Sequence, residues 1–487
     1  MTALRAATLL FLPLLLAACA SVPELDRQML RSEREPVRIE GAHGVLTRAQ
    51  SQKILDDLRK RSPDSDIIAQ HMAVEEALTD NPLSIGNKVT LLEDGKATYA
   101  SMLAAIRTAR HHVHIESYIF EGDEVGEEFA RALMERRRAG VKVRVMYDSV
   151  GSIDTPKEFF AQLKDAGIEV VEYNPVNTGT VLTEGLRLNH RDHRKLTIVD
   201  GRVAFLGGIN ISSVYTPSGG SSGGSGTSGG GSSSSGGGSS PSGGSASDKA
   251  KKELPYADKP WRDTAVRLEG PVVADLQRAF VEMWQGQTKT ALDTQGLFPQ
   301  LQAVGNSVVR AIEASPEKGP NPLYVTLISA IECADRSVHI TNAYFVPHPE
   351  LMGALKAAAR RGVDVRMILP SKTDSWLVIA AGRSYYEDLL EAGVRIYERK
   401  SRLLHAKTAA VDGVWATVGS TNLDWRSLST NSELNAVVLS PDFGAQMEAV
   451  FQQDISHSEE ITREAWARRP LSDRAREMTA RAWILML

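Results

Sequence analysis

The chain is poor in cysteine: Cys19 and Cys333 are the only two in 487 residues. A fold stapled by disulfides is therefore excluded. There is no surplus of positive charge either, since 56 Lys and Arg stand against 60 Asp and Glu and the formal net charge is −4. A protein built mainly to hold nucleic acid is usually basic, so no nucleic-acid partner is expected. Beyond residue 19 no stretch is long and apolar enough to span a bilayer. No segment has the ligand spacing of a zinc or calcium site. Chemistry without a metal or other cofactor is the expectation.

What is present is ordinary globular material, 42% hydrophobic and 24% charged, long enough for two to four domains. The N-terminus is set apart. Arg5 precedes the apolar run Ala6–Leu16, which is short for a membrane span and ends in "LAACAS". Leu16-Ala17-Ala18-Cys19 resembles the lipobox of bacterial lipoproteins. That implies a signal peptide over residues 1–18 and a lipidated Cys19 held at a membrane surface. Ala20 stands where an aspartate would resemble an inner-membrane retention signal, which favours the outer membrane, facing the periplasm. Cys333, in "LISAIECADRSVHI", is expected to be a buried structural thiol on an amphipathic helix.

The rest of the chain repeats itself. "YASMLAAIRTARHHVHI" (Tyr99–Ile115) lines up with "YVTLISAIECADRSVHI" (Tyr324–Ile340), each an amphipathic helix running into a buried strand. "FARALMERRRAGVKVRVMYD" matches "LMGALKAAARRGVDVRMILP", and "LKDAGIEVVEY" matches "LLEAGVRIYER", each with a glycine between helix and strand. Helices alternating with buried strands predict an α/β fold, here duplicated. The expected domains are a helical extension over 19–85, a first copy over 86–290, a second over 291–465 and an amphipathic tail over 466–487. The tail's apolar tip suits either packing or a membrane interface. In the extension, "TRAQSQKILDDLRKR" reads as a helix with Thr47 as N-cap. A Gly/Ser-rich insert at about 216–257 interrupts the first copy and is expected to be a flexible surface loop.

Within the two copies, "HRKLTIVDG" at His193–Gly201 has a partner, "HAKTAAVDG", beginning at His405. Lys195 and Lys407 lie two residues past their histidines, Asp200 and Asp412 seven, Gly207 and Gly419 fourteen, Asn210 and Asn422 seventeen. As a strand, the first stretch puts His193 and Lys195 on one face, and Leu196 and Ile198 on the other. One such pair on a strand would pass as packing. Two that agree at five positions mark a shared site. Asp200 and Asp412 each head an Asp-Gly turn, which accounts for them as turn or support residues, with a direct part in the chemistry as the alternative. With the insert discounted, Asp263 in "WRDTAVRLEGP" and Glu433 in "NSELNAVVLSP" occupy matching places.

These paired H-x-K-x4-D motifs, each followed by glycine and asparagine, resemble those of the phospholipase D superfamily over nearly all of residues 86–460. "RDHRKLTIVDGRVAFLGGIN" is most similar to the bacterial cardiolipin synthase branch. The insert and the lipobox depart from that branch. The resemblance implies two tandem α/β domains packed about a pseudo-twofold axis with one shared active site. It also implies phospholipid substrates, phosphatidylglycerol and phosphatidylethanolamine among them.

The chemistry explains the duplication. A neutral imidazole can attack phosphorus, and a second can protonate the departing oxygen and then deprotonate the incoming alcohol. Lys195 and Lys407 would neutralise the phosphoryl oxygens, while Asn210 and Asn422 would add donors. Asp263 and Glu433 would each accept a hydrogen bond from a histidine's other nitrogen. The resemblance makes His193 the nucleophile and His405 the acid and base. Phosphatidyl transfer is the leading expectation, hydrolysis of phospholipids or of other phosphodiesters the alternative.

Overall fold

The computed structural model describes residues 37–79, 81–176, 189–216, 259–319, 321–373 and 375–484. The signal segment with Cys19, and the insert from 217 onward, lie outside the described residues.

The extension begins with a ribbon, β1 (Ile39–Gly41) and β2 (Gly44–Val45). The Thr47 side chain accepts from the Gln50 amide, and the Gln50 side chain accepts from the Thr47 amide at 2.9 Å. This reciprocal cap sets the start of the helix Arg48–Arg61. Two short helices, Ile67–Gln70 and Met72–Leu78, lead to β3 (Leu83–Glu93), which runs straight through the boundary expected at residue 85.

The first copy holds β4 (His112–Ser117), β5 (Lys142–Asp148), β6 (Glu169–Tyr173), β7 (Arg191–Asp192), β8 (Lys195–Val199), β9 (Val203–Gly207) and β10 (Thr264–Glu269). The second holds β11 (Ser307–Ala314), β12 (Ser337–Asn342), β13 (Asp364–Pro370), β14 (Arg395–Arg399), β15 (Lys407–Val411), β16 (Trp415–Gly419), β17 (Asn431–Leu439) and β18 (Ser458–Ile461). The first sheet runs β6–β5–β4–β8–β9–β10–β3. The second runs β14–β13–β12–β15–β16–β17–β11 in the same order and with the same pattern of parallel and antiparallel pairs. β3 pairs with β10 along its second half and with β11 along its first, so one strand closes both sheets.

The duplication extends to local devices. Helices that precede parallel strands stop at Gly140, Gly167, Gly362 and Gly393, all with φ between 83° and 98°, where an L side chain would be strained. The inner strands are buried on both faces, which is why "KLTIV" and "NSELNAVVL" lack polar alternation. Leu196 and Ile198 pack into a core that both copies share, with Leu206 from the first and Val418, Ala436 and Val438 from the second. Cys333 closes the helix Pro322–Glu332 as its C-cap and is half-buried against the second copy's core, less covered than expected. Among the described residues no helix is long and apolar enough to cross a membrane.

The extension is bound to the second copy by charge as well as by apolar contact. Arg310 on β11 is fully buried and meets Glu75 at 3.4 Å, Glu76, and the Thr79 hydroxyl at 2.9 Å. Against the effect of burial, the hydrogen bond from His71 and the charge of Arg310 hold Glu75 below the usual carboxylate range. Replacing Arg310 with methionine removes the guanidinium that two buried carboxylates share, leaving Glu75 to His71 and Trp415 and Glu76 to Arg38, and the expected loss is about 3 kcal/mol of unfolding free energy. Urea denaturation of Arg310→Met checks this, and an unchanged midpoint would contradict it.

Candidate active site

Each histidine is delivered by a backbone pairing that crosses from one copy to the other. β7 runs parallel to the start of β17, with Arg191 opposite Asn431 and Asp192 opposite Ser432. The His193 amide then donates to the Ser432 carbonyl at 3.0 Å, bringing His193 beside Glu433. In the other half, Arg262 bridges Leu404, and the His405 amide donates to the Arg262 carbonyl at 2.8 Å, bringing His405 beside Asp263. His193 Nδ1 lies 3.1 Å from both oxygens of Glu433, and His405 Nδ1 lies 2.7 Å from Asp263 Oδ2. The expected pairing of acids with histidines is present, but crossed: each copy's acid holds the other copy's histidine.

The lysines follow their histidines. Lys195 Nζ donates to the His193 carbonyl at 2.6 Å, and Lys407 Nζ donates to that of His405. The Tyr118 ring stands 5.0 Å from the His193 ring and 5.1 Å from Lys195 Nζ. Around His405 are Trp261 at 5.4 Å, Tyr215 at 5.9 Å and Tyr344 at 6.4 Å. The residues are close-set, with His193 only 7% and His405 only 6% exposed. Among the described residues no three His, Cys, Asp or Glu side chains converge as a metal site.

The supporting residues divide. Asn210 donates from its side chain to the Tyr215 hydroxyl at 3.1 Å and accepts from the Ile119 amide at 3.1 Å. The Tyr215 hydroxyl in turn lies 3.2 Å from His405 Nδ1, so Asn210 acts through Tyr215. Asn422 is buried with its side-chain oxygen lacking a hydrogen-bond partner among the described residues, while its amide donates to Ser427 Oγ. Gly207 and Gly419 serve close packing. A Cβ at Gly207 would overlap Thr264 and Ala265, and one at Gly419 would overlap Asn435.

Asp200 and Asp412 require a correction to any catalytic assignment. Both head turns at φ 54°, at the far ends of β8 and β15 from the histidines. Asp200 accepts from the amides of Arg110, His111 and His112 at 2.7–2.9 Å. Asp412 accepts from those of Asp335, Arg336 and Ser337 at 2.8–3.0 Å, and from Ser65. Their carboxylates are spent on backbone donors that open the neighbouring strands β4 and β12. They support the sheet.

Several partners carried no sequence signal. Glu433 is held by Ser420 Oγ at 2.5 Å, Ser427 Oγ at 2.6 Å and Asn431 Nδ2 at 3.4 Å. Ser420 and Ser427 stand 15 and 22 residues past His405, where the first copy has Gly208 and Tyr215. Only the comparison of the two copies at those offsets could have singled them out.

The electrostatics follow from burial. Burial first, then the charges of Lys195, Lys407 and His405, hold His193 well below its ordinary range, so it is neutral near pH 7. Burial and Lys407 lower His405, against the hydrogen bond and charge of Asp263. Burial pushes Glu433 up to about 7 despite Lys195 and its hydroxyl donors. Burial also pushes Lys195 down to about 7, with Glu433 opposing.

Two histidines from the two copies, near enough for His405 to disfavour charge on His193, each backed by a carboxylate and flanked by a lysine, on twin mixed sheets, define a phospholipase D-type protein. The family described as "Cardiolipin synthase, PLD-like domain" matches residues 102–216 and 327–455. The chain belongs to that family. It is 33% identical over 406 residues to a cardiolipin synthase of Alkalihalophilus pseudofirmus, covering 83% of this chain and 73% of that one. It is 32% identical over 397 residues to the major cardiolipin synthase ClsA of Bacillus subtilis, covering 81% and 74%. Among solved structures, a phosphatidylserine synthase of Haemophilus influenzae shares the fold, with TM-score 0.56, 14% identity, and coverage of 82% of this chain and 95% of that one.

Two predictions arise here. Asp412→Ala strips the acceptor from three backbone amides and is expected to cost about 2–4 kcal/mol in chemical denaturation, at ~1 kcal/mol or slightly more for each group. A variant that kept its stability but lost turnover would return Asp412 to the chemistry. Second, a bound oxyanion raises Lys195 from about 7. Its affinity is therefore fully present below pH 7 and falls as pH rises through 7 to 9, by up to about tenfold per unit. Calorimetry with vanadate in two buffers should show proton uptake at pH 8, and a pH-independent affinity would contradict the assignment.

Proposed function

We propose that the protein transfers a phosphatidyl group in two displacements at one site, through a phosphohistidine on His193. The family and the relatives named above give the reaction type, phosphatidyl transfer of the cardiolipin synthase kind. The observation that carries the residue roles is the crossed pairing of acids and histidines. With Nδ1 of each ring committed to a carboxylate, Nε2 of each is left for phosphorus or for the proton.

In the first displacement, neutral His193 forms an N–P bond as the ester P–O bond breaks, and His405, neutral in the free site but protonated once the anionic phosphodiester is bound beside it, gives its Nε2 proton to the departing alcohol. In the second, His405 takes the proton of the headgroup hydroxyl of another phospholipid, whose oxygen displaces His193 from phosphorus. Lys195 and Lys407 offset the charge that shifts among the phosphoryl oxygens. Phosphatidylglycerol suits as donor and as acceptor, and phosphatidylethanolamine as a further lipid partner. The low exposure of both histidines supports a lipid hydroxyl over bulk water as acceptor. In this reading the acylated Cys19 anchors the enzyme to a bacterial membrane on its periplasmic side, with the outer membrane favoured.

The test uses the full chain on phosphatidylglycerol liposomes in excess chelator, with and without phosphatidylethanolamine, read by mass spectrometry. Cardiolipin is the expected product. His193→Ala should abolish it and His405→Ala should slow it by about 10²–10⁴. Phosphatidic acid without cardiolipin would replace transfer with hydrolysis.

A further inference from the structure

Among the described residues six other than glycine have positive φ, and two of them flank a single ion pair. Asp94, with φ 63°, heads the helix Asp94–Thr108, and Ser401, with φ 70°, precedes Arg402. Arg402 Nη1 donates to Asp94 Oδ2 at 2.7 Å, joining the second copy to the first. An L side chain enters the left-handed region at a cost, and such strain persists where surrounding contacts require one geometry. What the Asp94 carboxylate touches shows what is required here.

Both members of one acid–histidine pair hang from it. Glu93 pairs with Thr264, so Asp94 meets Asp263 in the next place of the β3–β10 register. The Asp94 amide donates to the Asp263 carbonyl at 3.0 Å, and Asp94 Oδ1 accepts from the Asp263 amide at 3.1 Å. One residue thus fixes the acid's backbone on both sides. The same Oδ1 lies 3.4 Å from Arg262 Nη1, and the Arg262 carbonyl is the acceptor for the His405 amide. Arg402 stands three residues before His405 and also donates to the carbonyls of Pro260 at 2.6 Å and Trp261 at 2.9 Å, which lead into Asp263.

The other half is built differently. β11 places Ala314 opposite Glu433, and an alanine side chain offers no acceptor. Glu433 is held through its own carboxylate, by Ser420, Ser427 and Asn431. The Asp263 carboxylate accepts from the Thr264 amide and faces His405, so its aim follows from its backbone.

We propose that Asp94 is the positioning residue of the His405–Asp263 pair, and that its left-handed backbone is retained for the sake of its carboxylate. It acts through Asp263, Arg262 and Arg402. A proton donor must lie within hydrogen-bond reach of the oxygen it serves, and a small misplacement slows the step. For its effect on turnover the proposal rests on His405 as acid and base, as read above. Its effect on the pair's geometry is measured without turnover.

The test compares the full chain with Asp94→Gly and Asp94→Asn. Glycine deletes the carboxylate and relieves the backbone, while asparagine tolerates positive φ and keeps an acceptor for the Asp263 amide. The Asp94 and Arg402 side chains are 25% and 22% exposed. The melting temperature should therefore stay within about 3 °C. In proton NMR, the His405 Nδ1 proton bonded to Asp263 is expected as a downfield signal missing from His405→Ala. It should move upfield in Asp94→Gly and hold its place in Asp94→Asn, with the His193 signal unmoved in both. On phosphatidylglycerol liposomes, kcat should fall about thirtyfold in Asp94→Gly and no more than about fivefold in Asp94→Asn, at unchanged KM. First-turnover release from phosphatidyl-p-nitrophenol, whose leaving group needs no proton, should stay within about threefold. Arg402→Gln cuts the same tie from the second copy with the Asp94 backbone untouched, and should show the same selective loss. An unmoved His405 signal, unchanged kcat in an Asp94→Gly variant of an active parent, or equal losses on the two esters would overturn the proposal. A His405 signal that moves as expected in a protein without lipid turnover would leave the positioning standing and sink the transfer reading instead.

Discussion

The His193 amide donates to Ser432 and the His405 amide donates to Arg262, and these two hydrogen bonds across the boundary between copies set the rest of the site. Strand register is quantised: once Asp192 lies opposite Ser432, the next residue on each strand is the histidine and its acid. The site is therefore not assembled from two finished halves. Each half lacks the carboxylate that orients its own histidine, and each carboxylate is fully buried. Separating the copies would leave each acid without the histidine it orients, so the packing of the two copies and the geometry of the site are one interaction.

Burial then sets the protonation states. Desolvation lowers His193, His405 and Lys195 most, and the neighbouring charges add to it: both lysines act on each histidine, and Lys407 acts on Lys195. The result is a site whose histidines are held neutral near pH 7 before substrate binds, and whose Lys195 and Glu433 both titrate at about 7. A phosphodiester brings the negative charge that reverses this for the lysine. Such a site gains most cationic character when its substrate is bound, which concentrates its electrostatic effect on the reacting group.

Much of this was legible in the sequence because the chain states it twice. A histidine and a lysine two residues apart mean little alone, but agreement at four offsets from the histidine in both copies singled out the pair, the glycines and the asparagines. The acids Asp263 and Glu433 were legible once the insert was discounted. Their crossing was not, since local spacing carries no record of which copy a strand end meets. Asp200 and Asp412 shared the catalytic spacing yet serve the sheet. An aspartate that heads a turn and one that faces substrate leave the same letter, and only the direction of the carboxylate separates them. The extension showed its helix through Thr47 and Gln50, whereas its buried tie to Arg310 joins residues more than 200 apart and left no pattern. The C-terminal helix read as amphipathic, but that does not say which apolar face the fold consumes.

The duplication is also where the two halves part company. At the fifteenth residue past the histidine the first copy has Gly208 and the second Ser420; at the twenty-second, Tyr215 and Ser427. A Cβ at Gly208 would overlap the Asp263 carboxylate, so the shorter acid needs the smaller residue. Glu433 occupies the matching place with two serine hydroxyls bonded to it, and its oxygens are equally distant from His193. Asp263 instead commits one oxygen to His405 at 2.7 Å, and that contact favours the protonated ring. Glu433 shares its charge among hydroxyl donors, and His193 is the more strongly held neutral of the two rings. A nucleophile must be neutral to attack, and an acid must hold a proton to give one. The side chains that differ between the copies thus support the roles proposed for two histidines that the motif itself makes identical.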